Sequence, residues 1–159
     1  MAGLQVTITP IQYEDIPAVI QINRACLPEN YPFSYFEYLV NNWPEICLVA
    51  KIDGKIVGYI LTRVEGGFSA FSPIRWRKKG HIISIAVLPE YRNKGIGSNL
   101  IKAVIDKLKS LYNASEVILE VRVSNPAQFL YERLGFKKVK VLRHYYSDGE
   151  DAYLMALQL

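Results

Sequence analysis

Up to about residue 45, apolar positions recur mostly at helical spacing. From Ile46 onward they gather into extended runs separated by turn residues. Val6–Thr9 reads as a short strand closed by Pro10. Asp15 followed by Pro17 reads as a helix start, a capping side chain and then a residue of fixed φ in the first turn. Ile16, Val19, Ile20 and Asn23 then keep helical spacing as far as Ala25. Leu27-Pro28-Glu29-Asn30-Tyr31-Pro32 breaks the pattern twice with proline. Phe33–Asn42 predicts a second, aromatic-rich helix that stops before Pro44.

Cys47–Ile52, Asp53-Gly54 and Lys55–Val64 predict a hairpin with the strongest local turn signal in the chain. Glu65–Gly80, with Gly66, Gly67, Pro73 and Gly80, reads as a long loop, a kind of segment that often carries function. His81–Leu88 is a strand whose β-branched content suggests burial on both faces. Ile96–Tyr112 is the clearest helix: Ile96, Leu100, Ile101, Val104, Ile105, Leu108 and Leu111 make one apolar face, and Lys102, Asp106, Lys107 and Lys109 face water. Glu116–Val123 is the next strand. Asn125 caps a helix with Pro126 in its first turn and Gly135 at its end. Phe136–Tyr146 and Asp151–Gln158 are paired strands around Ser147-Asp148-Gly149. The order β-α-α-β-β-β-α-β-α-β-β implies an α/β layer fold with a partly parallel sheet.

With 159 residues and no repeat or linker, the chain is expected to be one domain spanning 1–159. Half the residues are hydrophobic and 21% are charged, which excludes disorder and low complexity. No apolar run reaches membrane-spanning length, so no membrane partner is expected. Met1-Ala2-Gly3-Leu4-Gln5 lacks the basic region and apolar core of a secretory signal. Cys26 and Cys47 are too few for a disulfide framework and read as buried hydrophobes in a reduced, cytoplasmic setting. Neither they nor the histidines have metal-ligand spacing, so no metal is expected.

The net charge of +4 is unevenly spread. Arg75, Arg77, Lys78 and Lys79 form one cluster, Arg92 and Lys94 a second, and Lys137, Lys138 and Lys140 a third. Trp76 lies inside the first, a combination able to stack on bases and touch phosphates. A solvated loop is the plainer reading, and nucleic acid is not the expected partner.

The second cluster has a more definite setting. Arg92-Asn93-Lys94-Gly95-Ile96-Gly97-Ser98 joins a strand to the positive end of a long helix, and its two glycines allow backbone N–H groups to approach a ligand closely. That is an anion site. It lacks the lysine of a Walker loop and the third glycine of a dinucleotide fingerprint.

Arg92-Asn93-Lys94-Gly95-Ile96-Gly97 has the Arg/Gln-x-x-Gly-x-Gly/Ala form of the GNAT acetyltransferase superfamily, and Asn125 with Ala127–Phe136 resembles its second signature. Leu27–Tyr31, Gly80–Val87 and Tyr145–Tyr153 narrow the resemblance to the N-terminal protein acetyltransferases, the archaeal members in particular. The resemblance runs from about Val6 to Leu159. It implies the GNAT fold, a mixed central sheet of about seven strands with about four helices. It implies acetyl transfer from acetyl-CoA to the α-amine of a protein. The pyrophosphate would lie on Arg92, Asn93, Lys94, Gly95, Ile96, Gly97 and Ser98, and the thioester along Ile85, Ala86 and Val87. Asn125 and Tyr131 would face the sulfur.

Strand alternation places His81, Ile83 and Ile85 on one face, and Ile118, Glu120 and Arg122 on one face of the next strand. If the strands are neighbours, His81 and Glu120 can flank one water. A carboxylate among Val117, Leu119 and Val121 needs a partner, and Arg122 is the nearest candidate. The residues alone leave His81 equally readable as a strand-entry histidine and Tyr131 as a packed aromatic. The resemblance implies that His81 and Glu120 serve as base and that Tyr131 donates to the departing sulfur. It also implies that Leu27, Pro28, Glu29 and Tyr31 form one wall of the peptide site and Tyr145 and Tyr146 the other, with small first residues preferred.

An α-amine titrates near 7.7–8.0, against about 10.4 for lysine, so it asks less of a base. Acetylation of lysine or a small amine is the rival activity, and a non-enzymatic nucleic-acid-binding module a further one. The expected partners are protein N-termini, with the ribosome or nascent chain as a further candidate. The chain stops just after its last strand, and a monomer without an auxiliary subunit is the simpler expectation.

Overall fold

The computed structural model describes residues 5–159, and the stretch read as lacking a secretory signal lies outside them except for Gln5. The elements follow the predicted order: β1 (Val6–Pro10), α1 (Ile16–Cys26), α2 (Phe33–Asn42), β2 (Leu48–Ile52), β3 (Lys55–Ser69), β4 (Ser72–Val87), α3 (Ile96–Ser110), β5 (Glu116–Arg122), α4 (Ala127–Arg133), β6 (Lys137–Leu142) and β7 (Ala152–Gln158). The strands form one seven-stranded sheet in the order β1-β2-β3-β4-β5-β7-β6. β4 and β5 run parallel from Lys79↔Glu116 to His81↔Ile118, while β1/β2, β2/β3, β5/β7 and β6/β7 are antiparallel. A mixed sheet with four helices is the α/β fold the pattern predicts. Among the described residues no helix is long and apolar enough to cross a membrane.

The fold comprises two compact units. One holds the chain up to Arg63 together with Ser84–Lys107, the other Val64–Ile83 and Leu108–Leu159, so β3, β4 and α3 contribute to both.

In the first unit, Ile16, Val19 and Ile22 of α1, Phe36 and Leu39 of α2, most of β2 and the stretch 57–62 of β3 are buried. Asp53 (φ 50°) and Gly54 (φ 77°) give the two successive left-handed residues that a tight hairpin turn requires. Asp15 does not cap α1. A short 3₁₀ turn precedes the helix, and the Asp15 carboxylate instead accepts the Gln12 N–H at 2.9 Å and lies 3.7 Å from Lys51 Nζ. Cys47 is buried, and burial pushes its thiol up to about 12. Cys26, expected to be buried as well, is only half-buried, with Sγ 3.9 Å from the Val87 carbonyl oxygen.

The second unit holds the main departure from expectation. Glu65–Gly80 is not a loop: β3 continues to Ser69, the chain turns at Ala70-Phe71, and β4 begins at Ser72. The glycines mark close approaches rather than turns. A Cβ on Gly66 would lie 3.1 Å from the Trp76 indole nitrogen, and one on Gly80 would lie 2.3 Å from Leu108 Cδ1. The buried Glu116 carboxylate holds the turn, accepting the Ser69 hydroxyl and, at 2.9 Å, the Ala70 N–H.

Smaller differences have similar causes. β4 is not buried on both faces; Gly80, Ile82, Ser84 and Ala86 are buried, while His81, Ile83 and Ile85 stay half-open. Leu111 lies past the end of α3 and is exposed. β6 stops at Leu142, and His144 beyond it has a left-handed φ of 51° that does not continue a strand.

Removing the buried carboxylate of this clamp breaks two hydrogen bonds to a charged acceptor, from the half-buried Ser69 hydroxyl and the Ala70 N–H. Glu116→Ala should therefore cost about 1–3 kcal/mol in urea unfolding. Glu116→Gln, which keeps one acceptor oxygen, should cost less; equal stability in all three proteins would rule the clamp out.

Candidate active site

Parallel pairing of β4 and β5 sets His81 beside Ile118, and Glu120, two residues further along β5, projects on the same face. His81 Nε2 lies 2.8 Å from Glu120 Oε1 and 2.9 Å from Oε2. The two groups therefore bond directly, where a shared water between them was expected. Glu65 of β3 approaches the other ring nitrogen, its Oε1 3.1 Å from Nδ1. Burial disfavours the charged imidazole, but the Glu120 hydrogen bond and charge, with Glu65 added, outweigh it and hold the His81 pKa above its ordinary value. The Tyr145 hydroxyl donates to Glu120 Oε1 at 3.1 Å. Imidazole, carboxylate and phenol thus form one connected group in which a proton can be held or passed on.

Arg122, the candidate partner of Glu120, binds two carboxylates of the Tyr145–Glu150 segment. Its Nη1 bonds Asp148 at 2.7 Å and Glu150 at 2.9 Å, and its guanidinium lies 4.1 Å from the centre of the Tyr146 ring. The Glu150 carboxylate in turn accepts the Ser124 hydroxyl and, at 3.0 Å, the Ser124 N–H. Hydrogen bonds from the Glu150 backbone and from Arg122 hold Asp148 below the usual carboxylate range; those from Ser124 and Arg122 do the same for Glu150. Arg122 therefore fastens the Tyr145–Glu150 segment and with it the two tyrosines, whose rings meet edge to face at 5.0 Å.

α4 begins at Ala127 with Pro126 at its N-cap position, one residue later than expected, and the Asn125 side-chain oxygen accepts the Ala127 N–H at 2.9 Å, fixing the turn into the helix. Tyr131 is buried one turn further, its ring 6.1 Å from Phe136. Burial pushes its phenol up to about 12, so it keeps its proton at neutral pH.

In the first unit, Asn93 (φ 61°) and Gly95 (φ 80°) turn the Arg92–Ser98 loop with left-handed residues, and Arg92 through Gly95 are exposed. The first hydrogen bond into α3 runs from Asn99 N–H to the Gly95 carbonyl at 2.9 Å, so the N–H groups of Ile96, Gly97 and Ser98 precede the helical ladder. Arg92 Nε donates to the Val87 carbonyl at 2.8 Å, tying the loop to the end of β4 where Ile85, Ala86 and Val87 lie.

The Leu27–Tyr31 segment is held by a group the sequence did not single out. Asn23, read as one more position on a helix face, is fully buried; its Nδ2 donates to the Glu29 carbonyl at 3.0 Å and to the Tyr59 hydroxyl at 3.1 Å. Tyr59 is bonded in turn to Ser84 at 2.7 Å, and burial pushes its phenol up to about 12. Asn30 Nδ2 donates to the Leu27 carbonyl at 2.8 Å. Tyr31 packs against Tyr35 at 5.1 Å and Phe36 at 6.3 Å, so part of its role is to join this segment to α2. A polar residue on the apolar stripe of α1 was the available signal for Asn23. Glu65 was hidden by its assignment to a loop.

A family model described as the acetyltransferase (GNAT) family matches residues 16–136. The N-alpha-acetyltransferase of Sulfurisphaera tokodaii is 52% identical over 159 residues, covering 99% of this chain and 95% of the relative. Among solved structures, Ard1 from Thermoplasma volcanium superposes with a TM-score of 0.82 at 30% identity, with 97% of each chain covered. A chain in the crystal structure of the NatC complex bound to Gag peptide and CoA superposes with a TM-score of 0.87 at 27% identity, over 98% of this chain and 99% of that one.

The carboxylates are what raise the His81 pKa, so removing one must lower it. In NMR titrations of the imidazole, the wild-type midpoint should lie above 6.5 and Glu120→Gln should move it toward acid, with Glu65→Gln giving a smaller shift of the same sign. A midpoint that does not move in Glu120→Gln would mean the ring and carboxylate are not coupled in solution.

Proposed function

Since the chain belongs to the acetyltransferase (GNAT) family, we propose that it transfers the acetyl group of acetyl-CoA to the N-terminal α-amine of proteins, with a preference for small first residues such as Ser, Ala, Thr and Gly. The observation that carries this reading is the imidazole of His81 held between Glu120 and Glu65, with Tyr145 on the same carboxylate. A general base works best when its pKa lies near the working pH. An imidazole held above its ordinary value is the kind of base that suits an α-amine at 7.7–8.0, which asks less of it than a lysine near 10.4.

The donor's diphosphate suits the Arg92–Ser98 loop on chemical grounds. The loop offers the leading N–H groups of α3, two left-handed residues that curve the backbone and the charge of Arg92 and Lys94. Acetyl-CoA supplies the activated acyl group. The chain's own part is to remove a proton from the incoming ammonium, through the His81–Glu120 pair, so that the nitrogen can form its bond to the thioester carbonyl as the carbon–sulfur bond breaks. The proton released from nitrogen after attack balances the departing thiolate. Tyr131, with a phenol near 12, stabilises that thiolate by a hydrogen bond while retaining its own proton, since a thiol near 8.5 is the stronger acid.

Glu29 and its neighbours Leu27, Pro28 and Tyr31 are the proposed peptide-binding residues of the first unit, with Tyr145 and Tyr146 those of the second. A carboxylate near the incoming ammonium attracts it, and a small first side chain leaves that carboxylate its hydrogen bonds. A bulky apolar one would desolvate it, a difference of about 1–3 kcal/mol.

A peptide panel varied at the first residue tests the activity directly, with an N-blocked, lysine-containing peptide alongside it. Free Ser- and Ala-starting peptides should be acetylated and the blocked peptide should not; the reverse result would make this a lysine acetyltransferase. Gly97→Glu should weaken acetyl-CoA binding at least tenfold by calorimetry with the fold intact, because the new carboxylate repels the phosphates. Glu29→Val should lower the ratio of kcat/KM for Ser- over Met-starting peptides, and an unchanged ratio would remove Glu29 from substrate selection.

A further inference from the structure

The β3–β4 hairpin concentrates the charge of the whole protein. Between Gly66 and Gly80 lie four of the nineteen Lys and Arg residues, Arg75, Arg77, Lys78 and Lys79, and none of the fifteen Asp and Glu residues. The rest of the chain is balanced, fifteen against fifteen, so the Gly66–Gly80 end of this hairpin carries a charge equal to the whole net charge of +4. Large apolar side chains are exposed on it as well: Phe68 at 59%, Trp76 at 64% and Ile74 at 85%.

These side chains are arranged on a firm base. The Trp76 indole lies over Gly66, where a Cβ would come within 3.1 Å of its nitrogen, and it meets Phe68 edge to face at 5.4 Å. Lys79 Nζ bonds the Phe68 carbonyl at 2.6 Å, and Arg77 Nη1 the Trp76 carbonyl at 3.3 Å. At the turn, Glu116 holds Ser69 and Ala70. Along β4, alternation puts Ile74, Trp76 and Lys78 on one face and Arg75 and Arg77 on the other. Ordered aromatic rings edged by cations, with no acid among them, complement a flexible polyanion that carries flat rings of its own. None of these residues belongs to the His81 group or to the proposed acetyl-CoA loop.

We propose that this hairpin binds single-stranded RNA, with bases stacking on Trp76 and Phe68, Lys78 contacting phosphate on that face, and Arg75 and Arg77 contacting phosphates where the strand passes around the hairpin to the other face. Stacking on an aromatic side chain tolerates any base, so the site follows the single-stranded backbone rather than a sequence. The alternatives are an acidic protein segment, which would use the cations without the rings, and an anionic membrane surface, which would use the apolar side chains without requiring aromaticity.

The test is fluorescence anisotropy of a labelled, unstructured twelve-nucleotide RNA titrated with the full chain. Wild type should bind, with a slope of log affinity against log salt of about −2, the value for three phosphate contacts to a single strand. Arg75→Ala/Arg77→Ala/Lys78→Ala should weaken binding at least tenfold and flatten the slope. Trp76→Leu, which keeps the apolar surface, should weaken binding about tenfold, while Trp76→Phe should retain most of it. Unfolding midpoints and acetylation of a free peptide should stay at wild-type values in these variants, which separates failure of this proposal from failure of the acetyl-transfer reading. The proposal is overturned if wild type does not bind the RNA or Trp76→Leu binds it as well as wild type does. Equal binding to a poly-glutamate peptide, or stronger binding to vesicles containing phosphatidylserine that Trp76→Leu retains, would overturn it equally.

Discussion

An imidazole between two carboxylates is expensive to bury and strong once assembled, and much of the second unit is arranged around making that possible at His81. Glu120 takes Nε2 through both oxygens, and Glu65 faces Nδ1. Neither carboxylate comes from the strand that carries the histidine. The arrangement therefore requires β3, β4 and β5 to lie side by side in that order, and β4 and β5 to run parallel in one register. A slip of one residue in β5 would turn Glu120 to the opposite face. The seven β5–β7 pairs, from Glu116↔Gln158 to Arg122↔Ala152, hold that register from the other side.

The same constraint explains how charge is divided. Glu120 answers to His81 and Tyr145, whereas Arg122, two residues on, is occupied by Asp148 and Glu150. The two charge systems meet at the tyrosine pair, with Tyr145 donating to Glu120 and the Arg122 guanidinium lying over the Tyr146 ring.

Local signals account for what the sequence made legible. Asp53-Gly54 announces its hairpin because the turn needs two left-handed residues at that point, and α3 is visible from the spacing of Ile96, Leu100, Ile101, Val104 and Leu108 alone. The Arg92–Ser98 loop is likewise readable, since strand, glycines and helix are contiguous. What stayed hidden depends on neighbours distant in sequence. Gly66 and Gly80 looked like breaks in a chain and are instead places where Trp76 and Leu108 press on backbone. With the hairpin read as a loop, Glu65 could not be put beside His81. The partner of Arg122 was hidden because Asp148 and Glu150 lie more than twenty residues away, in a segment that read as a plain turn.

Asn23 has a consequence for how the molecule moves. Its Nδ2 is shared between Tyr59 and the Glu29 carbonyl, while its Oδ1 is buried with no hydrogen-bond partner. If the Leu27–Tyr31 segment swings outward, that N–H loses one of its two acceptors while its own side chain stays fully buried. Opening of this segment is thus coupled to admitting solvent to the Tyr59–Ser84 pair. The segment should behave as a stiff latch with two discrete positions, closed and hydrated-open, exchanging on the slow timescale of local unfolding rather than the nanosecond timescale of a free loop.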